Sequence, residues 1–270
     1  PFTDKSGEFS AKFAVRDATL HYAPLWPPAM NVDAELAIRG AELKLDITRG
    51  TISGADITGA HIVLPNMGVH QRMLKVTGVA RGRAADAITL VRDSPLKNGR
   101  AARLTELDIS GDVEVPLSMN LGLYPGGPHE VEGEARFNGN RITELKQNLT
   151  LDEVVGAVQF THHDWHGDGL RAVFEGTPVD LGINGALNDP LYDSEFHMAG
   201  VSLASGLAAY LEKYTPPVHS WLARHQKLDA FDGHVSWQAA LKVPSAAGHA
   251  AGAPQRLTID STLDGLNIQL

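Results

Sequence analysis

Val32-Asp33-Ala34-Glu35-Leu36-Ala37-Ile38-Arg39 places an apolar residue at every second position, and Ala41-Glu42-Leu43-Lys44-Leu45-Asp46-Ile47 repeats the scheme after a turn at Arg39-Gly40. Successive side chains of a strand point to opposite sides, so Val32, Ala34, Leu36 and Ile38 share one face, while Asp33, Glu35 and Arg39 share the other. Two such runs joined by a tight glycine turn predict an antiparallel hairpin with one apolar face. The same period predicts further strands over 12–22, 55–64, 74–79, 107–115, 131–137, 154–160, 170–174, 179–187, 235–243 and 257–268. Gly- and Asx-bearing punctuators such as Arg49-Gly50, Ser53-Gly54, Gly139-Asn140 and Gly167-Asp168-Gly169 separate them.

Helical spacing is confined to two places. Residues 84–92 predict a short helix ending before Ser94-Pro95. Residues 203–214 carry Leu207, Tyr210 and Leu211 at i, i+3 and i+4 and halt at Pro216-Pro217; a further helical turn is expected over 219–226, anchored by Trp221 and Leu222. Shifting the sequence by 122 residues aligns Val15 with Phe137, Leu20 with Ile142, Val32 with Val154, Leu36 with Val158, Ile38 with Phe160 and Leu43 with Trp165. A duplicated β unit is the expectation: a first repeat over 1–130 and a second over 131–270 with a helical insertion at 203–226.

The chain of 270 residues is long enough to bury a substantial core, and 43% hydrophobic against 20% charged residues excludes a disordered tail. A net charge of −9 without any Lys/Arg block excludes a nucleic-acid footprint and a polybasic membrane patch. No cysteine is present, which removes disulfides, thiolate metal sites and cysteine nucleophiles. No stretch reaches the ~18–20 apolar residues of a membrane-spanning helix, and Pro1-Phe2-Thr3 does not open a signal peptide. With the chain stopping inside the strand-like segment 266–270, it reads as an excised region whose membrane anchor lies outside it.

Motifs of chemistry are scarce. His162-His163-Asp164-Trp165-His166-Gly167-Asp168 holds metal-ligating groups, but it lies at a turn between two strands, and His162 and His163 as strand neighbours face apart. It reads as a solvated hairpin tip, and no metal or cofactor is expected. Gly-x-Ser-x-Gly, Walker A and His-Glu-x-x-His are absent, and Asp152-Glu153 reads as a solvated turn, so an enzyme is not expected. Trp26-Pro27-Pro28 reads as a plug at a strand end.

Many one-sided strands with few helices pose a question of coverage. A second sheet, a closed barrel wall or a bound ligand can each cover an apolar face, and alternation looks the same in all three.

A resemblance speaks to the choice. Val15-Arg16-Asp17-Ala18-Thr19-Leu20-His21-Tyr22-Ala23-Pro24-Leu25-Trp26-Pro27-Pro28 with Val32-Asp33-Ala34-Glu35-Leu36 resembles the signature of YhdP-type proteins in the AsmA-like superfamily. Gly50-Thr51-Ile52-Ser53-Gly54, Ala60-His61-Ile62-Val63-Leu64-Pro65, Leu207-Ala208-Ala209-Tyr210-Leu211 and Gly233-His234-Val235-Ser236-Trp237 continue it in the same order. The resemblance implies a mainly β fold of repeated antiparallel strands forming an open, curved β-groove. It implies a periplasmic protein of a Gram-negative bacterium, tethered to the inner membrane through a segment not in this chain. Its implied role is to shield phospholipid acyl chains in transit between inner and outer membranes; its partners are those chains and the remainder of its own polypeptide. The candidate lining, taken from the alternating runs, is Val15, Leu36, Ile38, Leu43, Leu45, Ile47, Ile62, Leu64, Val158, Phe160, Phe174, Leu181 and Ile183. The alternative is a self-covered β-sandwich that spaces or docks envelope partners without binding lipid.

Overall fold

The computed structural model describes residues 9–22, 25–98, 100–146, 148–185, 187–214, 231–264 and 267–268. Its first strands are β1 (Ser10–Leu20), β2 (Ala29–Arg39), β3 (Glu42–Ile52), β4 (Ala55–Leu64) and β5 (Met73–Arg83), followed by helix α1 (Ala84–Arg92), β6 (Leu107–Ser110), β7 (Asp112–Gly122), β8 (His129–Glu144) and β9 (Leu149–Thr161). Then come β10 (Trp165–Phe174), β11 (Thr177–Asn184), β12 (Tyr192–Leu203), α2 (Ala204–Tyr214), β13 (Phe231–Asp232), β14 (His234–Pro244), α3 (Ala246–Ala250), β15 (Arg256–Ser261) and β16 (Asn267–Ile268). The large sheet runs in the order β1-β2-β3-β4-β5-β7-β8-β9-β10-β11-β12-β14-β15, with β6 beside β8, and the path does not close on itself. Every strand pairing with a described register is antiparallel. The only other sheet among the described residues is the two-stranded β13–β16 pair.

By contacts the chain forms two compact units, 1–140 with 157–164 and 141–156 with 165–270. Their elements echo one another 122 positions apart: Asp112–Gly122 with His234–Pro244, and Ala55–Leu64 with Thr177–Asn184. Left-handed backbone recurs at the same spacing, at Asn31 and Glu153, Ser53 and Glu175, Gly54 and Gly176, and Gly111 and Gly233. Each unit also starts its helix alike, with Ala84 N–H donating to Gly111 O and Ala204 N–H to Gly233 O, both at 2.9 Å.

The core of the first unit is small. Ala29, Val32, Ala34, Ile47 and Ala60 form it, with Val15, Leu20, Tyr22, Leu45, Ile57 and Ile62 packed around them. Gly50 lies close against Val32, where a Cβ would come within 3.1 Å of a Val32 methyl carbon. Such close packing leaves no room for added volume. In the second unit Phe174, Val179, Ala204, Leu207, Val235 and Trp237 are buried near the start of α2. The Tyr210 ring meets Phe174 edge-on at 5.2 Å, and its hydroxyl lies 2.9 Å from Thr177 Oγ1.

Several local readings are corrected. The run 107–115 is two strands, because Gly111 sits at φ +89°, and a Cβ there would stand 2.8 Å from Asn140 Nδ2. That buried amide donates to Ser110 O and Asp112 O, both at 3.0 Å, holding the break. β12 shows no alternation in the sequence because its inward positions include Ser194 and Ser202, both buried. Asp152-Glu153 lies within β9 rather than in a turn, with Glu153 at φ +53°. The run 257–268 is likewise two strands, β15 and β16. Residues 219–226 lie outside the described residues.

Candidate functional site

Antiparallel registers line up apolar residues in rows that cross the strands. In the first unit the central row is Phe13–Leu36–Leu45–Ile62–Val76–Met119–Val131, one residue from each of seven successive strands. Ala11–Ile38–Leu43–Leu64 runs beside it on one flank, and Val15–Ala34–Ile47–Ala60 on the other. Same-face neighbours along a strand are two residues apart, so adjacent rows stand about 6.6 Å from each other. In the second unit Leu170–Leu181–Met198–Ala239–Ile259 and Gly167–Ile183–Phe196–Leu241–Leu257 make the equivalent rows.

The first unit's other face is polar. Its rows read Ala14–Glu35–Asp46–His61–Thr77–Ser118–Glu132 and Lys12–Ala37–Lys44–Val63–Lys75–Asn120–Glu130. Ion pairs lace it: Lys12 to Glu35 at 2.8 Å, Arg81 to Glu114 at 2.8 Å, and Arg136 to both Glu114 and Glu134 at 2.6 Å. The hydrogen bonds from Arg81 and Arg136 hold the Glu114 carboxyl below the usual range, and Arg136 does the same to Glu134. Glu114 is therefore expected to stay ionised to lower pH than a free glutamate. Its favourable contribution is present above the ordinary carboxyl range and is lost as pH falls through its own lowered value. Side-chain carboxyl NMR titration of the wild type against Arg81→Gln checks this; unchanged Glu114 titration would contradict the assignment.

Burial is graded across the apolar face. At one margin, beside the first turn of α1, Val32 is wholly buried, as are Ala34 and Ala60. The central row is only half-covered: Leu36, Leu45, Ile62, Val76, Met119 and Val131 are neither buried nor exposed, and Phe13 is 52% exposed. At the opposite margin Phe9, Val69 and Leu123 are exposed, while Leu64 at the end of β4 is buried. Apolar surface of this extent and continuity is uncommon on a soluble face without a binding role.

Of the candidate lining residues, Val15, Leu36, Ile38, Leu43, Leu45, Ile47, Ile62 and Leu64 share the apolar face of the first unit. Phe160 lies over Gly133, where a Cβ would come within 2.6 Å of its ring; Val158 is half-buried two residues before it. Leu181 and Ile183 fall in the rows of the second unit. Phe174 is buried against Tyr210, so it plugs one end rather than lining open surface. Phe13, Val76, Met119 and Val131 share the same face in its central row, which the strands expected over 74–79 and 131–137 do not reveal alone, because register is non-local.

The histidine turn brings the His162 and His163 rings within 3.7 Å of each other instead of facing them apart, because both residues follow the end of β9 in a bend. No group of three or more metal-ligating residues that could hold an ion occurs among the described residues. At the strand end before Trp26, burial pushes the Tyr22 phenol up to about 12. Stability linked to this group is present below pH ~10, the unfolded value, and is lost as pH rises through about 12. Ultraviolet titration should show one phenol ionising late and lose that component in Tyr22→Phe; a Tyr22 signal near pH 10 would contradict its burial.

No helix among the described residues is long and apolar enough to cross a membrane. No solved structure matches the chain. It is 22% identical over 270 residues to the intermembrane phospholipid transporter YhdP of Escherichia coli (strain K12), a match that covers all of this chain and 20% of that protein. The chain thus spans about one fifth of the length of that curated relative. The family model described as YhdP protein matches residues 1–270. Matched by that family model over its whole length, the chain belongs to the YhdP protein family.

Proposed function

We propose that this chain is a lipid-binding stretch of a periplasmic bridge that carries phospholipid between the inner and outer membranes of a Gram-negative envelope. On this reading it is not an enzyme, and it is tethered through a segment that is not part of this chain. Residues 1–130 and 131–270 act as two groove-forming repeats, the second carrying α2 as its helical insertion. The observation that carries the reading is the half-covered central row across seven strands, over which the described residues of the first unit place no second sheet. Each methylene removed from water there contributes about 0.8 kcal/mol, so an acyl chain can supply the missing layer. The relative's name as an intermembrane phospholipid transporter supports the same substrate class.

Native mass spectrometry of the purified chain, with lipid extraction, should find co-purified phospholipid. A lipid-free, monodisperse and stable chain that takes up no added phospholipid would instead favour a docking or spacing module of the envelope.

A further inference from the structure

We propose that the open margin of the first unit is the headgroup side of its lipid site, where Arg72 receives the phosphodiester of an anionic phospholipid. This rests on the lipid reading above and adds an orientation and a headgroup class to it. The two margins of the apolar face differ in cover and in how far their arginines are already paired. At the closed margin lie a buried core cluster, α1, and the carboxylates Asp17, Asp33, Asp56, Asp86 and Asp112 interleaved with Arg16, Arg49, Arg81 and Arg83. Asp33 and Asp86 are paired there with Arg49 at 2.6 Å and Arg83 at 2.8 Å, and Arg81 with Glu114 at 2.8 Å. A phosphate at that margin would meet packed side chains and guanidinium groups already engaged by carboxylates.

The open margin is the reverse. Arg72, just before β5, is exposed and makes no ion pair or side-chain hydrogen bond among the described residues, while Arg39, at the end of β2, lies opposite Glu42 on the polar side. Leu123 N–H donates to Arg72 O at 2.8 Å, which extends the β5–β7 ladder by one position and sets Arg72 beside exposed Leu123. Arg72 stands two residues before Leu74, so alternation puts it on the apolar side, and His129 shares that side through the row Leu74–Leu121–His129. Among the described residues the acids nearest this margin, Glu42 and Glu130, fall on the polar side, where Glu42 pairs with Lys44 and Glu130 accepts from Asn120. The apolar side of the margin thus offers Arg72 without a neighbouring carboxylate among the described residues, which suits a net-anionic headgroup better than one carrying its own ammonium. A guanidinium also matches phosphate oxygens in bidentate geometry.

The length fits. From the level of Arg72 to that of Gly78, beside Ala60, are three row spacings, about 20 Å. One acyl chain occupies about half of a ~30 Å hydrocarbon core, roughly 15 Å, so a lipid held at Arg72 reaches the closed margin without entering it.

The test loads the full chain from mixed micelles containing equal phosphatidylglycerol and phosphatidylethanolamine and counts bound lipids by native mass spectrometry. The wild type should favour the anionic lipid about fivefold, the effect of one arginine near an anionic lipid surface. Arg72→Gln should fall to parity with total load unchanged, Arg72→Lys should keep most of the preference, and Lys75→Gln on the polar face should keep all of it. Excess inorganic phosphate should not displace the lipid. Parity in the wild type, a preference that survives Arg72→Gln, or displacement by phosphate overturns the headgroup assignment while leaving the lipid reading in place. Failure to load either lipid overturns both.

Discussion

Leu45→Asp is expected to reduce co-purified phospholipid at least about tenfold while the chain still folds. Leu45 sits in the middle of the central row, between Leu36 and Ile62, and is half-buried. Removing its side chain forfeits part of one leucine's burial, about 1–2 kcal/mol of stability, within what a folded domain tolerates. The effect on lipid is larger, because the carboxylate meets an acyl chain that cannot hydrogen-bond it, and the margins offer it no cation within the row. Lys44→Asp places the same charge one residue away on the polar face, and the lipid load should then stay at the wild-type level. Lipid extraction and thermal melts of both variants read the contrast. If Leu45→Asp loads normally, the row is not a lipid surface; if it fails to fold, Leu45 is ordinary core.

Trp237→Ala should cost roughly 3–5 kcal/mol, the range for losing a large buried aromatic. The residue is 3% exposed, and its indole N–H donates to the buried Ser202 hydroxyl at 3.1 Å. Gly200 leaves room for the ring: a Cβ there would stand 3.2 Å from Trp237 Cζ2. Truncation therefore opens a cavity and strands the hydroxyl. Trp237→Phe keeps most of the volume and should cost about 1 kcal/mol plus the smaller ring's lost contacts. Denaturant melts give the total, and hydrogen exchange should place the lost protection in β11, β12 and β14. A Trp237→Ala melt within about 1 kcal/mol of wild type would show that this end of the second unit is not held by packing.

Strand identity was legible because period-two alternation is local. Residues 32–39 and 41–47 carry their own face assignment, whatever they pair with. The 122-residue echo was legible for the same reason, and Val32 and Val154, aligned by it, are both buried. β12 was not legible, since Ser194 and Ser202 occupy its buried positions and their hydroxyls erase the hydrophobic period. Gly111 was overlooked as a break because its constraint comes from Asn140, which is distant in sequence.

By itself the sequence determined that the chain is built of strands with one apolar and one polar side. Gly-x-Ser-x-Gly, Walker A and His-Glu-x-x-His are absent from it, and its phrases carried the family resemblance. Only the tertiary structure decided the order and register in which those strands pair. The strands join one open path rather than two stacked sheets, which aligns Phe13 with Val131 in one row although they lie far apart in the chain. Hydrogen-bonded order and register also buried one margin of that face, with its arginines paired to carboxylates, and left Arg72 exposed at the other. Alternation within a strand cannot encode these features, because row neighbours come from different strands and a margin is closed by whichever element the chain folds back across it.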